Sequence, residues 1–108
     1  MKILTRTATL KDVEPITELS FQLGYETTHE NTRNWLRELL NNKDNIVFVA
    51  VNNEKVIGWI HAFYAIRLES APFVEIGGMV IDKNYRRMGI GKLLVEKVMG
   101  NKRYLIGL

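Results

Sequence analysis

The chain has 108 residues, 46% of them hydrophobic and 25% charged, with a formal net charge of +3. That is enough for one globular domain with a sizeable core, spanning residues 1–108, and it argues against disorder. Without cysteine there is no disulfide framework, thiolate metal site or cysteine nucleophile, and two isolated histidines, His29 and His61, do not make a metal site.

No apolar run approaches the ~20 residues that span a bilayer, and the start, Met1 to Arg6, turns polar too early for a signal peptide. The expectation is a soluble, cytoplasmic protein with no membrane partner. Charge is unevenly spread. Residues 81–108 hold seven Lys/Arg against two acids, whereas the first eighty carry eight basic and ten acidic side chains. A basic end suggests an anionic ligand there, and the acidic remainder suits a cationic one. Nucleic acid is the competing partner, but the basic residues accompany a glycine loop and no aromatic platform, so it is disfavoured.

In chain order, Ile3 to Thr7 suits a first strand. Thr9-Leu10-Lys11-Asp12 has the capping-box pattern that starts a helix, and Val13, Ile16, Leu19 and Leu23 recur at helical spacing up to Gly24. A connector from Tyr25 leads to Thr28, a cap for a second helix with Trp35, Leu36, Leu39 and Leu40 as its apolar stripe. Trp35 reads as core packing. Asn41 to Asn45 is a stop.

From Ile46 the period changes. Ile46 to Val51 is a branched apolar run, Asn52-Asn53 a turn, and Lys55 to about Ile66 a second strand of a hairpin. Gly58 marks a bulge or a close approach. Arg67 to Pro72 reads as a loop, and Phe73 to Ile81 as the next antiparallel strand. Gly77-Gly78 within it weakens the strand, which suggests a bulge or something lying against the backbone. His61 and Tyr64 read as ordinary strand residues.

After Asp82, Lys83, Asn84 and Tyr85 comes Arg86-Arg87-Met88-Gly89-Ile90-Gly91-Lys92, opening an amphipathic helix that buries Ile90, Leu93, Leu94 and Val98. A glycine-spaced loop at a helix start leaves backbone N–H groups unpaired beside the positive end of the helix. Gly89 and Gly91 remove side chains that would hold a phosphate away, and Arg86, Arg87 and Lys92 add charge. A diphosphate cradle fits; so does a plain tight turn with solvated basic residues. The first glycine of G-x-G-x-x-G and the Gly-Lys-Ser/Thr ending of a P-loop are both missing, which weakens dinucleotide and ATP readings. Arg103 to Leu108 looks like a last strand. The whole is a mixed α/β order: antiparallel strands 1–4, then a parallel crossover from the fourth strand through the third of three helices to a fifth.

This order of elements, with Arg86-Arg87-Met88-Gly89-Ile90-Gly91 matching the pattern Gln/Arg-x-x-Gly-x-Gly/Ala, resembles the GNAT superfamily of N-acetyltransferases. Val80-Ile81-Asp82-Lys83-Asn84-Tyr85-Arg86 is similar to that family's lead-in to the loop, and the likeness spans Ile3 to Leu108. The resemblance implies acetyl-CoA as donor, no metal, and transfer of an acetyl group to a primary amine of a small molecule or peptide. Backbone N–H groups from about Arg87 to Lys92 would hold the pyrophosphate, and the strand edge at Met79, Val80 and Ile81 would pair with the pantetheine. In that family the fourth and fifth strands splay around the thioester, and Gly77-Gly78 stands where a bulge could cause this.

The resemblance also points to Glu75 as the general base, although a glutamate there could equally face solvent. A backbone N–H near Met79 or Val80 would donate to the oxyanion. Acceptor binding would fall to the segment between the first two helices, Tyr25, Glu26, Thr28, His29 and Glu30, which a plain solvated loop would explain as well. Family members continue with a further helix, commonly carrying a tyrosine general acid, and usually two more strands. This sequence stops at Leu108, and Tyr104 is on the wrong element to substitute. Two expectations follow: an uncovered fifth strand that pairs with a second copy as a homodimer, and CoA binding with weak or absent turnover.

Overall fold

The computed structural model describes residues 2–101. Its order is β1 (Ile3–Thr7), a 3₁₀ turn (Leu10–Asp12), α1 (Val13–Phe21), α2 (His29–Leu40), β2 (Asn45–Asn52), β3 (Lys55–Arg67), β4 (Ser70–Ile81), a second 3₁₀ turn (Lys83–Tyr85) and α3 (Ile90–Met99). The four strands form one antiparallel sheet in the order β1-β2-β3-β4. The strand expected at Arg103 to Leu108, and with it Tyr104 and the parallel crossover, lies outside the described residues.

The helices begin where the sequence gives them caps. Thr9 and Asp12 make the reciprocal capping box ahead of α1, with Thr9 N–H donating to Asp12 Oδ2 at 2.8 Å. Thr28 Oγ1 accepts from Asn31 N–H at 3.0 Å and starts α2. Gly24, with φ of 82°, takes the chain out of α1 in the left-handed conformation that glycine adopts without strain.

The sheet is covered on both faces, which is why Ile46 to Val51 reads as an unbroken apolar run. Val47, Val49 and Val51 pack with Val13, Ile16, Leu19 and Leu36 from α1 and α2. Phe48 and Ala50, pointing the other way, pack with Ile57, Ile60 and Ala62 and with Ile90, Leu94 and Val98 of α3. Trp35 is not core: it is 55% exposed, and Leu23 and Leu93 are also exposed. The apolar stripes are wider than the faces that the helices bury against the sheet and, for α1 and α2, against each other.

Both hairpin turns differ from expectation. The β2–β3 reversal is at Asn53 and Glu54, which have φ of 49° and 68°, one residue beyond Asn52-Asn53. Two consecutive left-handed residues match the right-handed twist of the flanking strands. Arg67 to Pro72 is not a loop: Arg67 pairs with Ser70, only Leu68 and Glu69 turn, and Pro72 lies within β4. Among the described residues β4 is an edge strand, where a missing N–H costs no ladder bond.

Glycine positions mark where the ladders shift. Val51 pairs with Val56 and Ala50 with Gly58, so Ile57 is inserted, and a β-carbon on Gly58 would lie 2.9 Å from Ile81 Cδ1 and 3.2 Å from Val80 O. On β4, His61 pairs with Gly78 and Ala62 with Ile76, leaving Gly77 as the extra residue. The double glycine is a bulge.

Candidate functional site

The segment between β4 and α3 is held at its start. Asp82 is buried; its N–H donates to Ile57 O at 2.8 Å, and its carboxylate accepts from Asn84 N–H at 2.9 Å. Lys83 N–H donates to Gln22 Oε1 at 2.8 Å, and Asn52 Nδ2 donates to Tyr85 Oη at 3.3 Å. The loop therefore leaves the sheet fastened to the end of α1 and to the β2–β3 hairpin.

Two left-handed residues then swing the chain into the helix: Arg87 with φ of 65° and Gly89 with φ of 79°. Gly89 is the N-cap and supplies no side chain to the exposed amides. The first N–H bonded back is that of Leu93, to Gly89 O at 3.1 Å, so the amides of Ile90, Gly91 and Lys92 emerge at the positive end of α3 with no intrahelical acceptor. A β-carbon on Gly89 would meet nothing within 4 Å, so the space before these amides is open. Arg86, Arg87, Met88 and Lys92 are exposed around it. Arg86 is turned back, its Nε donating to Ile81 O at 3.4 Å.

Beside the loop lies a cavity of about 910 Å³ between the α1–α2 connector and the bulged part of β4. Tyr25 and Glu26 line one side; Gly77, Gly78, Met79 and Val80 line the other, with Trp59 and His61 on β3 as floor. Met79 joins the two features. It lines the cavity, and its methyl lies 3.4 Å from where Gly91 would carry a β-carbon. Most of the lining is apolar, and two of its residues hold buried polar atoms without a hydrogen-bond partner, Thr27 Oγ1 and Trp59 Nε1.

The residues singled out in the sequence fall into two groups. Met79, Val80, Ile81 and Arg86 to Lys92 form one continuous strip from the β4 edge to the first turn of α3, and Tyr25 and Glu26 face the cavity into which that strip leads. His29 is the exposed first residue of α2 and does not line the cavity. Glu75 pairs with Phe63 on the same sheet face as His61, but it is also outside the lining. Its Oε1 is 2.7 Å from Arg67 Nη2, and the Arg67 guanidinium stacks 5.1 Å from the Phe73 ring centroid.

His61 gave no signal in the sequence beyond an ionisable residue in an apolar strand. Its place in the cavity follows from register, which sets it against Gly78. Its Nε2 is 2.7 Å from Asn45 Oδ1, and burial holds the ring below the ordinary histidine value of 6.5.

The family model described as Acetyltransferase (GNAT) family matches residues 10–104. The chain belongs to that family. A GNAT family acetyltransferase from Staphylococcus aureus is similar at 28% identity and a TM-score of 0.80, over 95% of this chain and 80% of that one. Two further solved structures share the architecture at lower identity. Glucosamine-6-phosphate N-acetyltransferase from Arabidopsis thaliana has a TM-score of 0.77 at 19% identity, over 92% of this chain and 73% of its own. AAC(6′)-Iy, solved with the bisubstrate analogue CoA-S-monomethyl-acetylneamine, has a TM-score of 0.78 at 20% identity, over 92% and 70%. No curated protein sequence matches. No helix among the described residues is long and apolar enough to cross a membrane.

Proposed function

We propose that this GNAT-family chain is an N-acetyltransferase that takes an acetyl group from acetyl-CoA and passes it to a primary amine held in the cavity. The observation that carries the reading is the continuity through Met79. A helix start with open amides and a largely apolar cavity are separated by one side chain. A diphosphate at the amides of Ile90, Gly91 and Lys92 would meet the helix dipole and the charges of Arg87 and Lys92. A linear arm leaving it would run along the free edge of β4 at Met79 and Val80, toward the bulge. The Ile81 carbonyl already accepts from Arg86, so pairing there would begin one residue earlier or displace that side chain.

At the bulge, the irregular ladder can leave an amide of Met79 or Val80 to donate to the oxygen of a tetrahedral intermediate. Tyr25 and Glu26 would meet the acceptor, with Glu26 attracting an ammonium to the mouth of the cavity. Glu75 can serve as base only when released from Arg67.

Titration calorimetry with CoA, followed by acetyl-CoA-dependent thiol release over a panel of amines, tests the reading. CoA should bind and at least one amine should release thiol, while Gly89→Glu, which sets a carboxylate in the open space, should abolish binding. An unaltered affinity in that variant would refute the loop assignment. Binding without thiol release from any amine would reduce the protein to a CoA-binding module.

A further inference from the structure

One ring nitrogen of His61 is engaged by a neighbour. Asn45 stands at the start of β2, opposite Phe63, and its side-chain oxygen lies 2.7 Å from His61 Nε2. An amide oxygen only accepts, so in the neutral ring Nε2 carries the hydrogen and Nδ1 carries the lone pair. Nδ1 faces the bulge: a β-carbon on Gly77 would sit 2.7 Å from it. Because the extra residue of the bulge is a glycine, no side chain from it covers this nitrogen, and the ring lines the cavity against the irregular stretch of β4.

Glu75 occupies the same face of the sheet two pairs further along, but its carboxylate is engaged by Arg67 and does not line the cavity. The two carboxyl-based and imidazole-based options thus differ in what surrounds them. One is neutralised by a cation; the other has a basic nitrogen with no competing partner among the described residues.

We propose that His61, and not Glu75, is the base that removes the proton from the acceptor's ammonium group. The assignment rests on the acetyltransferase reading. An ammonium in the cavity gives one proton to Nδ1, and the amine lone pair forms the new C–N bond at the thioester carbonyl. Collapse of the tetrahedral intermediate breaks the C–S bond and expels thiolate, which takes the second proton from nitrogen. The imidazolium then returns its proton to water. The balance is one ammonium and one thioester consumed, one amide, one thiol and one proton formed.

Burial disfavours the charged ring and so favours the neutral form that this step requires. The titratable side chains that share the cavity with it are Tyr25 and Glu26 on the α1–α2 connector; α1, α2, β2 and β4 contribute none to the lining. Arg67 and Glu75, further along the same face, offset one another.

The test is kcat/KM against pH for the wild type, His61→Gln and Glu75→Gln, with acetyl-CoA and an amine that turns over. The wild type should lose activity on the acid side with an apparent pKa below 6.5. His61→Gln should lack that limb and fall about 100-fold near neutral pH, the deficit shrinking as pH approaches the amine's own ionisation. Glu75→Gln should keep the limb. A His61→Gln enzyme that retains the limb and the rate, or a Glu75→Gln enzyme that loses both, overturns the assignment alone. No thiol release from the wild type with any amine overturns the acetyltransferase reading and this assignment together. Ring-nitrogen NMR in His29→Asn, which leaves one histidine, reads the state directly: a ring protonated on Nδ1 in its neutral form, or a pKa above 6.5, would also overturn it.

Discussion

Gly91, in the first turn of α3, stands over Met79 of β4, so that an added β-carbon would lie 3.4 Å from the Met79 methyl. That is ordinary van der Waals contact with the end of a flexible side chain, and alanine is a better helix former than glycine. Gly91→Ala should therefore leave the fold unharmed or stabilise it by about 0.5 kcal/mol. The same methyl borders the open amides, and CoA affinity should fall. Thermal melts and calorimetry on one preparation would show the two effects with opposite sign; a fall in both would mean that Gly91 is needed for packing, not for ligand approach.

Gly77→Ala should behave differently. Its methyl would come within 2.7 Å of His61 Nδ1 and 3.2 Å of Phe63 Cε1, and the imidazole is tied to Asn45, so something in the floor must shift. We expect a loss of about 1–3 kcal/mol, typical of overpacking. In chemical denaturation, a midpoint equal to that of the wild type would show that the ring swings aside freely, and that the Asn45 contact does not hold it.

How far the sequence carried depended on whether a feature was local. Capping at Thr9 and Thr28, the helix start at Gly89 and the irregularity at Gly77-Gly78 are each written in a few adjacent residues, and the structure has them where those residues stand. Register is not local. Glu75 looked available because nothing in Phe73 to Ile76 reveals that the opposite strand sets Arg67 beside it. His61 looked ordinary for the converse reason, since Asn45 and Gly77 reach it across two different ladders. Pro72 misled in a third way: proline argues against a strand only where its N–H would have been used, and on β4 the free edge removes that objection.

Arg6 and Asp12 tie β1 to the start of α1 by two bonds, Nη1 to Oδ2 at 2.8 Å and Nη2 to Oδ1 at 2.9 Å. Burial pushes the Asp12 carboxyl up, but the Arg6 hydrogen bonds and the Thr9 amide outweigh it and hold its pKa below the usual 3.8. A lowered folded-state pKa contributes stability that is present above 3.8 and is lost as pH falls through the folded value. Asp12→Asn should cost about 1–2 kcal/mol near neutral pH, the partly exposed Arg6 limiting the loss. The difference from the wild type should shrink on acidification below the ordinary carboxyl range. Denaturation midpoints that stay equally separated down to the lowest pH would show that the charge of Asp12 contributes nothing.

Glu54 carries the strained half of the β2–β3 turn. With φ of 68° after Asn53 at 49°, it occupies a conformation that costs a residue with a β-carbon roughly 1–2 kcal/mol and costs glycine little. Against this, glycine loses more freedom on folding, by about 0.5–1 kcal/mol. The strain relieved exceeds the entropy added, and Asn-Gly is the pair that such two-residue turns favour. Glu54→Gly should stabilise the fold by about 0.5–1 kcal/mol. A lower melting temperature in this variant would mean that the turn is held by the glutamate side chain and not opposed by its backbone.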